Sequence, residues 1–156
     1  MNDPKVLSSV AEFHKTFEHP IEAKPIIPAK ERCNLRISLI TEELKELEQA
    51  INDNDIIEVA DALCDLQYVL AGAILEFGLG EKFKMLFDEV QRSNMSKACN
   101  NLEEATATVN HYKEKNNVHA IVKEKDGKFL VYRESDNKTL KSIYYSPADI
   151  SSVMQG

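Results

Sequence analysis

The sequence predicts a mainly α-helical bundle that is completed by oligomerisation and carries a small β-hairpin at its C-terminal end. Apolar residues recur at helical spacing over most of residues 1–116. One predicted helix is apolar on nearly every side and needs cover from other helices. Near the end, two strand-like segments flank an Asp126-Gly127 turn. We therefore expect a helical domain over 1–116 and a hairpin extension over 117–156, packed on the same domain.

The helices are delimited by caps, prolines and glycines. Asp3 as cap and Pro4 at the first helical position predict a helix over residues 4–18. The three prolines of EHPIEAKPIIP make the next segment an extended connection. The turn NDND, at 52–55, offers a cap for the apolar helix, and GLG ends that helix. The remaining predicted helices span about residues 29–52, 56–77, 81–91 and 102–115. A short third strand is expected within KTLKSIYYSPADI.

Composition and charge exclude several classes of function. The chain has 156 residues, 43% of them hydrophobic, which is enough for a core. Its net charge of −7 argues against nonspecific binding to nucleic acid or to an anionic membrane. No apolar run approaches the roughly 20 residues of a membrane span. The N-terminus lacks a secretory pattern, and the three cysteines are widely spaced without a CxxC pair. We expect a cytoplasmic protein with reduced thiols.

Acidic residues on the apolar helix raise the main question about function. On a helical wheel, Glu58, Asp61 and Asp65 fall within a wedge of about 60°. Nearly every other side chain of this helix is apolar, so protein should surround it. A solvated acidic face is therefore a poor explanation for these three carboxylates.

The preceding helix carries a matching acidic group. Glu42, Glu43 and Glu46 lie at the edge of its core-facing side, and their three- and four-residue spacing makes them neighbours. The short turn predicts that the two helices are antiparallel and adjacent. At about 1.5 Å per residue, Glu43 and Glu46 come to the height of Glu58 and Asp61.

Such a concentration of negative charge needs compensation. Two unit charges 4 Å apart repel by about 4 kcal/mol at an effective dielectric of 20. Protonation, salt bridges or a metal ion would each relieve this repulsion. Arg36 lies near the azimuth of Glu43, with Arg32 one turn earlier, so an arginine would satisfy one carboxylate but hardly all. All-oxygen ligation without His or Cys favours Mg²⁺, with Mn²⁺ as a substitute. The structural alternative is an acid cluster satisfied by arginine and water.

The same residues resemble a known superfamily. EELKE (42–46) followed by EVAD (58–61) is similar to the EExxE…ExxD signature of the all-α NTP pyrophosphatases. These include MazG-like proteins, dimeric dUTPases and phosphoribosyl-ATP pyrophosphohydrolase. The flanking LRISLITEEL and DALCDLQYVLAGAILEFG also resemble that superfamily, and the similarity covers roughly residues 4–100.

The resemblance implies Mg²⁺-dependent hydrolysis of a nucleoside triphosphate to the monophosphate and pyrophosphate, in a house-cleaning or nucleotide-pool role. By position, the implied metal ligands are Glu43, Glu46, Glu58 and Asp61. Glu42 would be a further ligand or the base that orients water, and Asp65 would join or brace the site. The alternative is a non-catalytic helical regulatory or interaction module that retains a degenerate acidic metal site.

Residues outside the acid cluster complete the set of candidates. Asn94 and Lys97 follow the fourth helix, near the phosphate- or base-contacting segment of the superfamily, and with Arg36 they are the candidate substrate-binding residues. In the hairpin extension, Lys141, Tyr144 and Tyr145 are candidates for contact with nucleotide or a partner subunit, or else ordinary surface residues. Because few helices cover the apolar one, we expect a homodimer or homotetramer.

Overall fold

The computed structural model describes residues 2–156, and its elements follow the predicted order. Within these residues the chain forms six helices and one two-stranded antiparallel sheet. The helices are α1 (Val6–Thr16), α2 (Lys30–Asn52), α3 (Ile56–Glu76), α4 (Phe83–Met95), α5 (Leu102–Asn116) and α6 (Ile150–Gln155). The strands are β1 (Ala120–Lys125) and β2 (Lys128–Arg133). The prediction of a mainly α fold with a small C-terminal hairpin is confirmed.

Two compact units make up the chain, and they divide between Phe83 and Lys84. The first unit contains α1, α2 and α3, and the second contains α5, α6, both strands and nearly all of α4. The domain assignment expected from the sequence, 1–116 and 117–156, is a different partition and stays a prediction.

The first unit is organised around α3. Both α1 and α2 pack against it, and a turn of three residues joins α2 to α3. Asp55 caps α3 as predicted, since its side chain accepts hydrogen bonds from the backbone N–H groups of Ile57 and Glu58 at 2.9 and 3.2 Å. Val10 of α1 packs against Ala71 and Leu75 of α3 in a small buried core.

The C-terminal end of α3 is held by the extended connection between α1 and α2. The backbone N–H of Glu22 donates to the Leu75 carbonyl, and that of Ile26 donates to the Phe77 carbonyl. Gly78 has a φ of +67°, and a Cβ there would lie 1.9 Å from the carbonyl oxygen of Lys24. Only glycine fits at this crossing, which brings the start of α2 beside the end of α3.

Two details of the predicted elements are wrong. Helix α1 begins at Val6 with Lys5 as its N-cap and no side-chain cap, so Asp3 and Pro4 precede the helix. The side chain of Asp3 therefore does not cap the backbone N–H groups in the first turn of α1. The expected third strand is a single bridge between Tyr132 and Thr139, followed by a turn and the short helix α6.

In the second unit, α5 packs against both strands of the hairpin. Ala120 pairs with Arg133 at one end of the ladder and Lys125 with Lys128 at the other. Asp126 and Gly127 both have positive φ, which is the geometry of the predicted two-residue turn. The buried core of this unit consists of Cys99, Ala105, Val131 and Leu140.

Candidate functional site

The six predicted acidic residues lie on the two helices expected from the sequence. Glu42, Glu43 and Glu46 are on α2, and Glu58, Asp61 and Asp65 are on α3. In the single chain Glu43 is half-buried and the other five are exposed. The prediction that protein surrounds these residues is therefore not met within one chain.

Glu43 is the point at which the two acidic groups meet. Partial burial raises the pKa of Glu43, and the charges of Glu46, Asp65, Glu42 and Asp61 raise it further. Because Asp61 and Asp65 belong to α3, the carboxylates of the two helices lie close enough to repel one another. The predicted juxtaposition of the acidic residues of α2 with those of α3 agrees with this effect.

Compensation by arginine, the structural alternative to a metal ion, does not occur at this cluster. Among residues 2–156, no ion pair involves any of the six carboxylates. The two candidate arginines pair elsewhere, because Arg32 and Arg36 both donate to Glu76 at the far end of α3. The acidic cluster is thus an uncompensated concentration of negative charge.

The donor chemistry of the cluster suits a hard divalent cation. It offers carboxylate oxygens from two adjacent helices and neither His nor Cys, except the nearby thiol of Cys64 on α3. Within the described residues, no three acidic, His or Cys side chains are already gathered in a coordination geometry. Four of the six residues are glutamates with several rotatable bonds, so a bound cation would have to draw their oxygens inward. The charges of Glu46, Asp65, Glu42 and Asp61 add to the raised pKa of Glu43, so these carboxylates interact across the two helices.

A buried ionic cluster that sequence reasoning missed lies along the same helices. Glu76 is 1% exposed and accepts hydrogen bonds from Arg32 and Arg36, of which Arg36 is itself 7% exposed. Burial opposes ionisation of Glu76, but the hydrogen bonds from the two arginines outweigh it and lower its pKa. Two features of the sequence could have predicted this cluster. Arg32 and Arg36 are spaced i,i+4 on one helix, and Glu76 is an acidic residue at the end of an apolar helix.

His14 completes this cluster from α1. It is 2% exposed, its Nδ1 lies 2.9 Å from the Pro20 carbonyl oxygen, and its Nε2 lies 3.3 Å from Nη2 of Arg36. A carbonyl only accepts, so Nδ1 carries the proton and Nε2 accepts from the guanidinium. The neutral tautomer therefore satisfies both ring nitrogens.

A cavity of about 220 Å³ adjoins this cluster, on the side that leads toward the acidic residues. Leu39, which lines it, lies one helical turn before Glu43, and Tyr68 lies one turn after Asp65. Arg36 also lines it, and its Nε has no hydrogen-bond partner among the described residues. The remaining lining residues are Val10, Phe13, His14, His19, Arg32, Leu35 and Val69. An aromatic, partly cationic recess thus lies one helical turn from Glu43 and Asp65.

The other predicted substrate-binding residues lie in the second unit. Asn94 is on α4 and Lys97 follows that helix, and Nζ of Lys97 donates to Oδ1 of Asn94 at 2.8 Å. The two side chains are therefore brought together. Their role in substrate binding, like that of Arg36, stays a prediction.

Two further predictions concern membranes and thiols. In residues 2–156, no helix combines the length and the apolar character needed to cross a membrane. None of Cys33, Cys64 and Cys99 forms a disulfide, as predicted from their number and spacing.

Two comparisons with known proteins find relatives of this chain. The chain is 22% identical to the uncharacterized protein L479 of Acanthamoeba polyphaga mimivirus, and the alignment covers 94% of each chain. The profile of the phosphoribosyl-ATP pyrophosphohydrolase family matches residues 10–94, which is more than half of the chain and a range that includes the positions of the six acidic residues. The chain therefore belongs to the phosphoribosyl-ATP pyrophosphohydrolase family, within the MazG-like all-α NTP pyrophosphatase superfamily.

Proposed function

We propose that this protein is a Mg²⁺-dependent nucleoside triphosphate pyrophosphohydrolase of the cytoplasm, which converts an NTP or dNTP and water to the monophosphate and pyrophosphate. One observation carries this proposal. Acidic side chains of α2 and α3 are close enough to raise the pKa of Glu43, and no cationic side chain in residues 2–156 pairs with them. A divalent cation is the compensation that fits an all-carboxylate donor set.

The proposed ligands are Glu43 and Glu46 from α2 with Glu58 and Asp61 from α3. Bound there, Mg²⁺ supplies charge neutralisation for the polyphosphate and acidifies water. Glu42 would be a further ligand or would orient the attacking water and accept its proton, with pyrophosphate as the leaving group, and Asp65 would join or brace the site. Hydrolysis of a phosphoanhydride depends mainly on such positioning and charge stabilisation.

The recess beside the acidic residues would receive the nucleoside. Phe13 and Tyr68 offer aromatic faces, and Nε–H of Arg36 is a buried donor without an acceptor. A base or ribose acceptor that reached Arg36 would remove the free-energy cost of that unpaired donor.

We also propose that the active protein is a homodimer or homotetramer. Ile56 and Ile57 at the start of α3 are each 76% exposed, and Leu63 is 50% exposed. On α2, Ile37 and Leu44 are 64% and 54% exposed. Apolar side chains on both helices that carry the acidic residues are typical of a surface covered by another copy. Such cover would also bury the carboxylates that one chain leaves exposed.

A second candidate function is a helical interaction module that retains an acidic site without catalysis. The observation that favours it is that five of the six carboxylates are exposed and none is preassembled with others for metal binding. In that case the protein would bind its partner through the apolar surface and would not release pyrophosphate.

A turnover assay distinguishes the pyrophosphohydrolase from the non-catalytic interaction module. The full chain is incubated with each NTP and dNTP and Mg²⁺, and ³¹P NMR distinguishes pyrophosphate from orthophosphate. Glu46→Gln and Asp61→Asn are expected to abolish pyrophosphate release while leaving the helical circular dichroism unchanged. Glu48→Gln, an exposed residue of the same helix, is the matched control and should retain full activity. Pyrophosphate release by both active-site variants at the wild-type rate would refute the metal assignment, and no release by the wild type would favour the module.

A further inference from the structure

The guanidinium group of Arg36 is held from several sides where this residue lines the recess. Its Nη2 donates to Glu76 and lies 3.3 Å from Nε2 of His14, so both N–H bonds of that nitrogen have acceptors. A Cβ at Gly72 would lie 2.6 Å from Nη1, so the backbone of α3 closes that side. Nε–H of Arg36 is buried and has no acceptor among residues 2–156. Because the guanidinium is planar, the contacts of Nη1 and Nη2 determine where Nε–H points.

The contact between His14 and Arg36 depends on the protonation state of the imidazole. Nδ1 of His14 lies 2.9 Å from the carbonyl oxygen of Pro20, which only accepts. Nδ1 therefore carries the proton of the neutral ring, and Nε2 presents a lone pair to Arg36. A proton on Nε2 would replace that acceptor with a donor and would place a second positive charge against the guanidinium. Only the neutral ring can hold Arg36 in this position.

The charged and titratable groups around the His14 ring come from three elements of the first unit. Arg36 and Arg32 approach from α2, Glu76 from the end of α3, and His19 from the connection that follows α1. The ring centroids of His14 and His19 are 5.4 Å apart. Burial lowers the pKa of His14 most, the charges of Arg36 and His19 lower it further, and the charge of Glu76 opposes them. His14 is therefore neutral at pH 7.

We propose that His14 is a positioning residue that directs Nε–H of Arg36 toward the nucleoside, so that nucleoside binding in the recess requires the neutral imidazole. This inference rests on the proposed function for the identity of the ligand. It goes beyond that function because it makes occupancy of the recess depend on a proton held by a residue that acts through Arg36. All of these groups, and the cavity of about 220 Å³ that they line, lie within the first unit.

Binding of the proton and binding of the nucleoside should oppose each other. If the nucleoside binds only when His14 is neutral, its binding must lower the pKa of His14, and protonation must weaken nucleoside binding by the same factor. Affinity should then fall by up to about tenfold for each pH unit below the pKa of His14 in the free protein. A histidine that only stabilised the fold would leave the affinity of the folded molecules independent of this proton.

NMR titration of the full chain in chelator measures both sides of this linkage. Adenosine, guanosine, cytidine, uridine and thymidine are added singly between pH 8 and pH 5, because nucleosides carry no phosphate group that would ionise in this range. The ring signals of His14 are identified by their absence from His14→Gln. We expect at least one nucleoside to bind, to bind more weakly below a pH of about 6.5, and to lower the pKa of His14. Lack of binding by all five nucleosides, or an unchanged pKa of His14 at saturation, would overturn the proposal.

His14→Gln separates hydrogen bonding from titration. A glutamine amide can donate to the Pro20 carbonyl and accept from Arg36, but it does not gain a proton in this pH range. Its nucleoside affinity should be close to that of the wild type at pH 8 and should stay constant down to pH 5. His14→Leu lacks the acceptor and should bind about tenfold more weakly at every pH, as for loss of one hydrogen bond. Circular dichroism at each pH restricts the comparison to folded protein.

Two other histidines provide the controls. His19→Gln changes the titratable neighbour of His14, and His111→Gln changes an exposed histidine of α5. Both variants should keep the pH dependence of the wild type. Loss of that dependence in His19→Gln, or its persistence in His14→Gln, would assign the effect to a different group and overturn the proposal.

Turnover distinguishes failure of this inference from failure of the proposed enzyme. At each pH, the KM of the wild type is divided by the KM of His14→Gln, which cancels the ionisation of the nucleotide substrate. This ratio should rise below a pH of about 6.5, while the corresponding ratio of kcat stays near one. Turnover with a constant KM ratio would overturn the positioning role alone. Nucleoside binding that depends on His14, without turnover of any nucleotide, would support the positioning role and reject the enzyme.

Discussion

Arg36 and Glu76 form a buried ion pair that joins the first half of α2 to the last residue of α3. Arg32 donates to the same carboxylate, and Nη2 of Arg36 also lies beside the buried ring of His14. Three helices are therefore linked at one end of the bundle by ionic and hydrogen-bonding groups. Removing one member of such a cluster leaves a buried charge without its partner, which is costly in free energy.

Gly72 should be essential for this cluster. A Cβ at this position would lie 2.6 Å from Nη1 of Arg36 and 3.1 Å from Nε2 of His14. In an unconstrained helix, Gly→Ala stabilises by about 0.5–1 kcal/mol. Here the guanidinium is fixed by Glu76, so we expect Gly72→Ala to destabilise the protein by about 1–3 kcal/mol.

Urea denaturation followed by circular dichroism measures this change. Gly80→Ala is the comparison, because its nearest neighbour is a flexible Leu75 methyl group at 3.3 Å. If Gly72→Ala proves as stable as the wild type, the guanidinium is not fixed where the structure places it.

The buried imidazole should make stability depend on pH. Burial lowers the pKa of His14, against the opposing hydrogen bond with the Pro20 carbonyl. Because the folded pKa lies below the unfolded value of about 6.5, the unfolded chain binds the proton more tightly. The free energy of unfolding should therefore fall as the pH drops below about 6.5. Protonation would also remove the acceptor that Arg36 uses.

Urea midpoints between pH 8 and pH 5 test this dependence. His14→Gln should lower stability at pH 8 and should flatten the slope between pH 6.5 and pH 5. His111→Gln, an exposed histidine of α5, should leave the slope unchanged. An unaltered slope in His14→Gln would assign the pH dependence to other groups.

Local signals explain which parts of the fold were predictable. Asp55 caps α3 through hydrogen bonds two and three residues away, so its role is encoded in neighbouring residues. Asp126 and Gly127 likewise determine a two-residue turn without help from distant residues. Asp3 carries the same type of cap signal, but α1 begins three residues after it, and the helix packs against α3.

The buried ionic cluster depends on pairings across the chain. Arg32 and Arg36 meet Glu76 some forty residues later, and only the crossing at Gly78 brings them together. A helical wheel aligned Arg36 with Glu43 on α2 but gave no means of choosing between Glu43 and Glu76, the last residue of α3, as its partner. The acidic groups around Glu43 were predictable because a short turn constrains the heights of residues on two antiparallel helices.

Glu43 should limit stability when metal is absent. Partial burial and neighbouring carboxylates raise the pKa of Glu43, so its ionisation costs more free energy in the folded chain than in the unfolded chain. We expect Glu43→Gln to raise the melting temperature in chelator, by about 2–4 °C for each 1 kcal/mol of relieved repulsion. The same variant should gain less than the wild type from added Mg²⁺.

Differential scanning calorimetry, first with chelator and then with Mg²⁺, measures the melting temperature without metal and its increase when Mg²⁺ is added. Glu48→Gln removes the same charge from an exposed position of α2. It should change neither the melting temperature in chelator nor its increase with Mg²⁺. A lower melting temperature for Glu43→Gln in chelator would mean that this carboxylate stabilises the apo fold. Equal Mg²⁺ stabilisation of variant and wild type would place the metal elsewhere.

Exposed isoleucines should determine the oligomeric state. Ile37 on α2 is 64% exposed and Ile57 on α3 is 76% exposed. Full burial of such a side chain contributes about 1.5–3 kcal/mol, and a two-fold interface contains each residue twice. Substitution by lysine should therefore raise a dimer dissociation constant by a factor of about 100 or more.

Sedimentation velocity over a range of protein concentrations measures that constant for Ile37→Lys and Ile57→Lys. Ile27→Lys is the control, since Ile27 is equally exposed at 76% but lies in the extended connection. A wild-type monomer at all concentrations would remove the interface from the proposed active site and leave its carboxylates exposed to water.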